Sequence, residues 1–348
     1  NDNDSDGLLN CYETNTMVFV DEFNTGTDPN NPDTDGDAIN DGDEVLGTDN
    51  GLDLPAMGTN PLVGNILIEY DWFDENLECS AHSHRPNINV MNKVELAFLN
   101  APNLNPDGSS GIQIIQDYGQ GGVFNRGNLL NDADGVLTGG VSGVEFLTYK
   151  DSNFQDNREG YFHYAILPHR YNTSSGSSGQ AEVNGDDLIV SLYCANSDRN
   201  VSHTILHELG HNLSLRHGGL TNCNYKPNYN SVMNYQFQFP GADTDCDGVG
   251  DGVLDYSRGL NVALDELSLN ESEGICNNQS IDWNQNAVID GSNVTFDING
   301  DMFINSCDGE GPAINDYNDW SFINFAGVQD FDRMGIEVVS CMNPVPIE

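Results

Sequence analysis

The stretch HTILHELGHNLSLRHGG, residues 203–219, contains three histidines and a glutamate at spacings that predict a zinc site. His207 and His211 are four residues apart, so on a helix both imidazoles lie on one face and can reach a single metal ion. Glu208 follows the first histidine and is placed to act on water at the zinc. Zinc held by three histidines keeps an open position and lowers the pKa of water towards about 7. These residues therefore predict hydrolytic chemistry.

The third histidine, His217, can join the site only if the chain turns back after the helix. It lies six residues past His211, and a continuing helix would carry it away from the metal. We therefore expect the helix to end near Leu213 or Ser214. In the motif H-E-x-x-H-x-x-G-x-x-H a glycine makes this turn, because glycine adopts a positive φ at little cost. Ser214 stands there instead, which predicts a strained or differently built turn, at about 1–3 kcal/mol. The other histidines lack such spacing and are assigned structural positions: His82, His84, His163, His169 and His203.

The elements around this helix predict an α/β fold. Apolar residues at helical spacing over residues 200–214 give the histidine helix one face that can pack on a sheet. The order of the preceding elements predicts a sheet backed by helices. The predicted strands are 65–73, 111–119, 161–169 and 185–194, with a helix at 87–102 and a Gly- and Ser-rich loop at 172–185.

The first 62 residues lack helical or strand periodicity, but their acidic residues are spaced as in calcium-binding loops. DNDSDGLLNCYE and DTDGDAINDGDE each carry oxygen ligands at alternate positions and end on glutamate. Ca²⁺ takes six to eight oxygens, and a glutamate at position 12 can close the shell with two. A disordered acidic tail is the alternative. The expected ligands are Asp2, Asp4, Asp6, Asn10 and Glu13, and then Asp33, Asp35, Asp37, Asp41 and Glu44.

These two loops, joined by a segment containing G-T-D-P, resemble thrombospondin type-three repeats. Repeats of that family wrap calcium in place of a hydrophobic core. Ala38 stands where the family has glycine, which weakens the turn of the second loop without removing a ligand. The resemblance covers residues 1–62 and implies a calcium-repeat stalk through which the protein could attach to a cell surface or to itself.

The last third of the chain, residues 241–348, carries three further loops of this type without closing glutamates. Leu254 stands at the closing position of the first. The loops resemble those of dockerin-like calcium modules and predict weaker sites in an irregular subdomain, with acidic loops that bind no metal as the alternative. Because Cys246 and Cys307 lie within the loops, we expect disulfides to fasten them to the body. The candidate ligands are Asp243, Asp245, Asp247 and Asp251; Asp282, Asn284, Asn286 and Asp290; and Asp297, Asn299, Asp301, Asn305 and Asp308.

Residues 63–240 resemble the catalytic core of the metzincin clan of zinc endopeptidases. The resemblance rests on the histidine helix together with NSVMNYQF, in which Met233 comes sixteen residues after His217. Calcium loops and cysteines make the chain most similar to the pappalysin-like and bacterial matrixin-like members. The resemblance implies a twisted mixed sheet with a backing helix and a zinc helix.

The resemblance also implies roles for individual residues. One Zn²⁺ would be held by His207, His211 and His217, and Glu208 would be the general base and acid. Met233 would form a hydrophobic base beneath the zinc. Tyr235 would steady the oxyanion or act as a displaceable ligand. The patterns of the residues themselves agree for the first four positions, whereas for Met233 and Tyr235 they predict only core residues.

The composition limits the possible partners. Asp and Glu outnumber Lys and Arg by 55 to 11, for a net charge of -44, and such a surface repels phosphate backbones and anionic membranes. We therefore exclude nucleic acid. Self-repulsion at this density favours bound cations, although a solvated acidic surface suited to a salty medium is an alternative.

The cysteines and the hydropathy predict an extracellular protein. Eight cysteines without a C-x-x-C pair indicate disulfides in an oxidising compartment, and the sequence leaves their connectivity open. No apolar run approaches the roughly 18 residues needed to span a bilayer. The first residues, NDNDSDG, lack the basic start and apolar core of a signal peptide, so we expect a secreted or cell-surface protein whose signal has been removed.

The sequence thus favours a secreted zinc endopeptidase that is stabilised by several Ca²⁺ ions and acts on proteins or peptides. One alternative is a calcium-rigidified structural or adhesive protein in which the metalloprotease domain is vestigial or serves assembly. Another is a zinc hydrolase acting on a non-peptide bond. Zinc content and chelator-sensitive peptide cleavage distinguish the three.

Overall fold

The computed structural model shows a mixed α/β protein built around a six-stranded sheet with few helices. The residues it describes are 1–172, 176–304, 307, 313–329 and 337–341. The α-helices are α1 Asp41–Leu46, α2 Leu54–Met57, α3 Ile88–Leu99, α4 Val144–Asn153 and α5 Asp198–Asn212, and short 3-10 helices lie at Asp156–Arg158, Asp319–Ser321 and Phe325–Gln329. The strands are β1 Asn65–Trp72, β2 Asp74–Glu75, β3 His82–Ser83, β4 Gln113–Asp117, β5 Val136–Leu137, β6 Phe162–Leu167, β7 Arg170–Tyr171, β8 Gly179–Val183, β9 Asp187–Val190, β10 Leu264–Asp265, β11 Ala313–Ile314 and β12 Glu337–Ser340.

The central sheet is parallel over four strands and antiparallel at one edge. Its strand order is β12-β8-β9-β6-β1-β4. β1 pairs in parallel with β4 and β6, and β6 pairs in parallel with β9. β8 runs antiparallel to β9, and β12 runs antiparallel to β8. β12 is therefore the outermost strand, and it covers the edge that β8 would otherwise expose.

Apolar residues cover both faces of this sheet. All eight residues of β1 are buried, as is typical of a parallel strand inside an α/β domain. On one face Ile68 belongs to a core cluster with Val94 of α3 and Leu206 of α5. On the other face Leu67 belongs to a cluster that includes Leu54 of α2. The amino-terminal region therefore contributes to the core of the sheet.

Most of the predicted elements are confirmed. The strands predicted at 65–73, 111–119, 161–169 and 185–194 and the helix at 87–102 are present, and the histidine helix ends at Asn212. The prediction of a continuous loop over 172–185 is wrong, because β8 occupies residues 179–183. The Gly and Ser content predicted a turn, but pairing with β9 and β12 sets the conformation of this short segment.

Three disulfides cross-link the described chain and are compatible with an extracellular location. Their pairs are Cys79–Cys194, Cys223–Cys307 and Cys246–Cys276. Cys307 is attached to the body as expected, whereas Cys246 is bonded to a second loop of the carboxy-terminal third. Cys11 is free and exposed, and Cys341 is free and buried. Within the described ranges, no helix combines the length and the apolar character needed to cross a membrane.

Candidate metal centre

Helix α5 carries the first two histidines of the predicted zinc site. It begins after Ser197, whose side chain accepts a hydrogen bond from the backbone N–H of Asn200 and so caps the helix. Every residue from Ser202 to Asn212 is buried, because α5 lies between α3 and strands β8 and β9. The helix therefore fixes its histidines inside the protein.

The structure brings all three predicted histidines together. Their ring centroids are 4.9 Å apart for His207–His211, 5.4 Å for His207–His217 and 4.9 Å for His211–His217. Nδ1 of His207 lies 2.7 Å from the Val232 carbonyl oxygen, and Nδ1 of His211 lies 2.8 Å from that of Leu215. Since a carbonyl only accepts, Nδ1 carries the proton in both rings, and Nε2 presents its lone pair.

These lone pairs point into a buried space. Nε2 of His207 and Nε2 of His217 are buried and have no hydrogen-bond partner among the described residues. Burial lowers the pKa of His207 and His217 far below the ordinary value and that of His211 to about 4. The three imidazoles are thus neutral at physiological pH, the form in which histidine binds metals.

The turn that brings His217 back is strained, as predicted. Ser214 has a φ of 78°, the left-handed conformation in which glycine is favoured. Its backbone N–H donates to the His211 carbonyl, and the next N–H, of Leu215, donates to Gly210. The Ser214 hydroxyl donates to Oδ1 of Asn184 at 2.8 Å. Serine can therefore make this turn, with its side chain anchored on the strand connection beside it.

Glu208 lies beside the histidines in an enclosed position. The residue is fully buried, and neither of its carboxylate oxygens lies in hydrogen-bonding geometry with a group of the described chain. Gly179, the first residue of β8, packs so closely that an added Cβ would overlap Oε1 of Glu208. Burial raises the pKa of Glu208 well above its usual value. A raised pKa makes this carboxyl group a better proton acceptor than an exposed glutamate.

Met233 and Tyr235 both lie close to the histidines. Met233 is fully buried beneath α5, and its Sδ would overlap a Cβ added at Gly210. The ring of Tyr235 lies 4.3 Å from that of His217 and stacks at 5.9 Å on that of His207, between centroids. Methionine therefore packs under the histidine helix, and tyrosine lies beside the three imidazoles.

A fourth potential ligand, Cys341, joins this group from the far end of the described chain. Its Sγ lies 3.7 Å from Nε2 of His211, and the ligand atoms of Cys341 and the three histidines all lie within 4.8 Å of one another. Burial, and secondarily Glu208, raise the pKa of the thiol. Sequence reasoning missed this residue because no local spacing connects position 341 to the histidine helix.

The structure also gathers three of the histidines that the sequence analysis assigned to structural positions. Ring nitrogens of His82, His84 and His169 all lie within 4.8 Å of one another. The His-x-His spacing at 82–84, which places both rings on one side of a strand, was the available signal. His163 and His203 are buried singly, beside Oδ1 of Asn212 and the carbonyl of Gln238 respectively.

In the first amino-terminal loop the expected calcium ligands converge. Oxygens of Asp2, Asp4 and Asp6 lie within 4.8 Å of one another, as do those of Asp6, Glu13 and Asp41. Both carboxylate oxygens of Asp4 and Glu13 are buried without hydrogen-bond partners in the described chain, as is Oδ1 of Asn10. Asp41, expected in the second loop, thus lies beside the first.

The second amino-terminal loop crowds carboxylates in the same way. Burial and neighbouring carboxylates raise the pKa of Asp35 to about 9, and burial raises that of Asp37 to about 7. Oε2 of Glu44 is buried without a partner in the described chain, whereas Asp33 accepts backbone N–H groups of the loop. Ala38 has a φ of 73°, so alanine adopts the conformation expected of glycine.

The carboxy-terminal loops fold around their first aspartates. Asp243 accepts the N–H groups of Cys246 and Gly248, Asp282 those of Asn286 and Ala287, and Asp297 those of Gly300 and Met302. Asn305 and Asp308 lie outside the described residues. The other predicted ligands lie within these loops: Asp245, Asp247 and Asp251; Asn284, Asn286 and Asp290; and Asn299 and Asp301.

Two of these loops contact glutamates from earlier in the chain. Buried Glu271 accepts the N–H groups of Asn284 and Asp290, and buried Glu266 accepts that of Ile298. Carboxylates that the sequence analysis found missing from the loops are thus present beside them.

Comparisons with protein-family models, with curated proteins and with solved structures found no match.

Proposed function

We propose that this protein is a zinc-dependent endopeptidase of the metzincin type. The observation that carries the proposal is the convergence of three neutral, buried imidazoles beside the buried Glu208 carboxyl. In His207 and His211, Nδ1 donates to a backbone carbonyl oxygen and leaves Nε2 free for a metal. Proteins commonly orient zinc-binding histidines in this way. The mixed sheet, with its antiparallel edge beside α5, agrees with the same proposal.

His207, His211 and His217 would hold the ion. Zinc bound there supplies a Lewis acid that polarises a peptide carbonyl and acidifies water. Glu208 accepts the proton of the attacking water and passes it to the leaving amine, a role that suits a carboxyl whose pKa is raised by burial. Tyr235 is close enough to the imidazoles to donate a hydrogen bond to the developing oxyanion.

Calcium would stabilise the amino-terminal loops. Partnerless buried oxygens of Asp4, Glu13 and Glu44 are costly without a cation, and Ca²⁺ prefers such oxygen ligands. Because Oδ2 of Asp37 accepts the N–H of Asn65 at 2.6 Å, the second loop is joined directly to the start of β1. We expect calcium to raise the unfolding temperature of the whole chain, and an unchanged temperature after calcium chelation would contradict this assignment.

The decisive experiment compares wild type with Glu208→Gln. We expect both proteins to bind one zinc ion that is lost on His211→Ala, and peptide cleavage in the wild type alone, reduced by about 10³-fold or more in the variant. Cleavage should be lost to a zinc chelator at fixed calcium and restored by zinc. An active Glu208→Gln protein would refute the role of Glu208, and the lack of a His211-dependent zinc ion in both proteins would refute the proposal.

A second candidate function has its own supporting observation. β12 covers the edge strand β8 next to the histidines, as expected if this domain serves structure or assembly and no longer admits a substrate. Zinc binding without cleavage of any member of a peptide library, in wild type and in variants that displace β12, would favour this alternative.

A further inference from the structure

We propose that the segment Glu337–Cys341 masks the candidate metal centre, with Cys341 as the fourth ligand of the ion held by the three histidines. The proposal rests on the proposed function, because it assigns an occupant to the same site. It predicts a protein that holds its metal in a closed form and becomes competent when this segment leaves.

The segment pairs with β8 as an added β-strand at the edge of the sheet. Val339 is aligned with Ala181 and Ser340 with Gln180 in an antiparallel register. The pairing continues past the strand, since the N–H of Cys341 donates to the Gly179 carbonyl at 3.0 Å. An extended peptide that reached Glu208 along β8 would need the hydrogen-bonding groups that this segment uses.

The register of β12 against β8 places Sγ of Cys341 beside the three histidines. Cys341 is 5% exposed, and its Sγ faces Nε2 of His211 at 3.7 Å. Three imidazoles and one thiolate would supply the four protein ligands of a closed zinc site, whereas catalytic zinc sites keep one position open. The thiol proton leaves when sulfur binds the ion. The fourth ligand position of the metal is therefore occupied when Cys341 binds and open when Cys341 leaves.

Side chains around the metal centre hold the segment in place. Arg216, in the turn just before His217, forms an ion pair with Glu337 at the start of the strand. Tyr235 donates its hydroxyl to the Ser340 carbonyl at 3.0 Å. Hence the tyrosine proposed to stabilise the oxyanion is engaged by the masking strand, and departure of the strand frees it.

Cobalt substitution tests the ligand directly. With Co²⁺ in place of zinc, we expect wild type to show a thiolate-to-cobalt charge-transfer band that Cys341→Ser lacks. Cys11→Ser, which removes the exposed free cysteine, is the matched control and should keep the band. Iodoacetamide should modify Cys11 in native protein, but Cys341 only after a chelator removes the metal or after Glu337→Gln loosens the strand.

The outcomes separate this inference from the proposed function. If wild type binds cobalt without showing the band, and His211→Ala abolishes this cobalt spectrum, the role of Cys341 is overturned while the histidine site stands. Cobalt uptake unaffected by His211→Ala would overturn both. We expect peptide cleavage by Cys341→Ser to exceed that of wild type by about tenfold or more, the ratio that corresponds to about one open wild-type molecule in ten. Equal cleavage would refute masking.

A different observation carries a second proposal. We infer that His82, His84 and His169 bind another divalent transition-metal ion. Nε2 of His84 and Nδ1 of His169 face each other at 3.0 Å, and Nε2 of His82 is buried without a partner in the described chain. Imidazole ligands suit zinc, copper and nickel.

The groups behind the rings set the required tautomers. Nδ1 of His82 lies 2.6 Å from the Ser80 carbonyl, which leaves Nε2 for a metal. Nε2 of His169 lies 3.3 Å from Oε2 of Glu78, which leaves Nδ1. A carboxylate or carbonyl behind a histidine is how metal-binding imidazoles are oriented. The disulfide between Cys79 and Cys194 lies directly beside this group.

Zinc stoichiometry tests this second site. We expect two zinc ions per chain in dialysed wild type, one in His84→Ala, one in His211→Ala and none in the double variant. Glu78→Gln should keep both ions and weaken the second by about 10- to 100-fold, the usual effect of removing the group behind a metal-binding histidine. One zinc in wild type, or two in a His84→Ala protein with a wild-type unfolding profile, would refute the site.

Discussion

Two clusters of three histidines differ in how the chain builds them. The helix cluster, His207, His211 and His217, arises from eleven consecutive residues on and after α5. The loop cluster consists of His82, His84 and His169, which come from β3, the residue after it and the turn before β7. Its members are up to 87 residues apart. Identical side chains can thus converge through helix geometry or through tertiary packing alone.

The carboxylates next to the clusters differ as well. Glu208, beside the helix cluster, is buried without a geometric hydrogen-bond partner in the described chain. Glu78, beside the loop cluster, is half-exposed and paired with Arg170 at 3.0 Å. A buried carboxyl without an ion-pair partner can exchange protons, whereas an exposed, ion-paired one orients a ring. The comparison favours the proposed catalytic role for the helix cluster and a structural role for the loop cluster.

The largest expected effect separates the clusters by activity. In a Cys341→Ser background, His211→Ala should reduce peptide cleavage by about 10³-fold or more, because the ion that polarises the carbonyl is lost. His84→Ala should leave cleavage within about threefold, because within the described chain the contacts of the loop cluster involve none of the proposed catalytic groups. Initial rates of cleavage of a fluorescence-quenched peptide measure both variants. Comparable losses of activity in His211→Ala and His84→Ala would show that the two clusters do not differ in function.

The next effect concerns the disulfide beside the loop cluster. Replacing both Cys79 and Cys194 by serine opens a link across 115 residues and should lower the free energy of unfolding by about 2–5 kcal/mol. Zinc binding to the loop cluster should weaken with it, while binding to the helix cluster persists. Denaturant unfolding and zinc titration report the two effects. Equal weakening of both clusters would show that they are not independent.

A smaller effect tests the close packing under the helix cluster. Gly210→Ala places a Cβ against Met233 and 3.0 Å from the Tyr256 hydroxyl, so the packing must shift. We expect a loss of about 1–3 kcal/mol in unfolding free energy, together with weaker zinc binding. Ser83→Ala, between two loop-cluster histidines on an exposed position, should change stability by less than about 0.5 kcal/mol. A stable Gly210→Ala protein would show that the site tolerates rearrangement.

Local geometry explains what the sequence could predict. His207 and His211 are one helical turn apart, and the aspartates of residues 2–13 and 33–44 alternate within single loops. The sequence alone was therefore sufficient to predict that these side chains come together. The parallel strands were predicted from apolar runs such as 65–73, because burial on both faces leaves a continuous signal.

Long-range pairing explains what the sequence could not predict. β8 lies in a Gly- and Ser-rich segment, and its partner β12 comes from the end of the described chain, so no local pattern connects the two strands. Cys341 reaches the histidines only through that pairing. Glu266 and Glu271 lie beside carboxy-terminal loops that follow them in sequence, which spacing rules do not detect.

The smallest expected effect concerns Ser214, where the helix cluster depends on a turn. Ser214→Gly removes the strain of a φ of 78° but loses the hydrogen bond to Asn184 and adds flexibility to the unfolded chain. Because these effects oppose one another, we expect a change within about 1 kcal/mol and unchanged zinc binding. Ser214→Ala keeps the strain and loses the hydrogen bond, so it should be less stable than Ser214→Gly by about 1 kcal/mol. Thermal unfolding measures both, and a Ser214→Ala protein at least as stable as Ser214→Gly would show that the turn is unstrained.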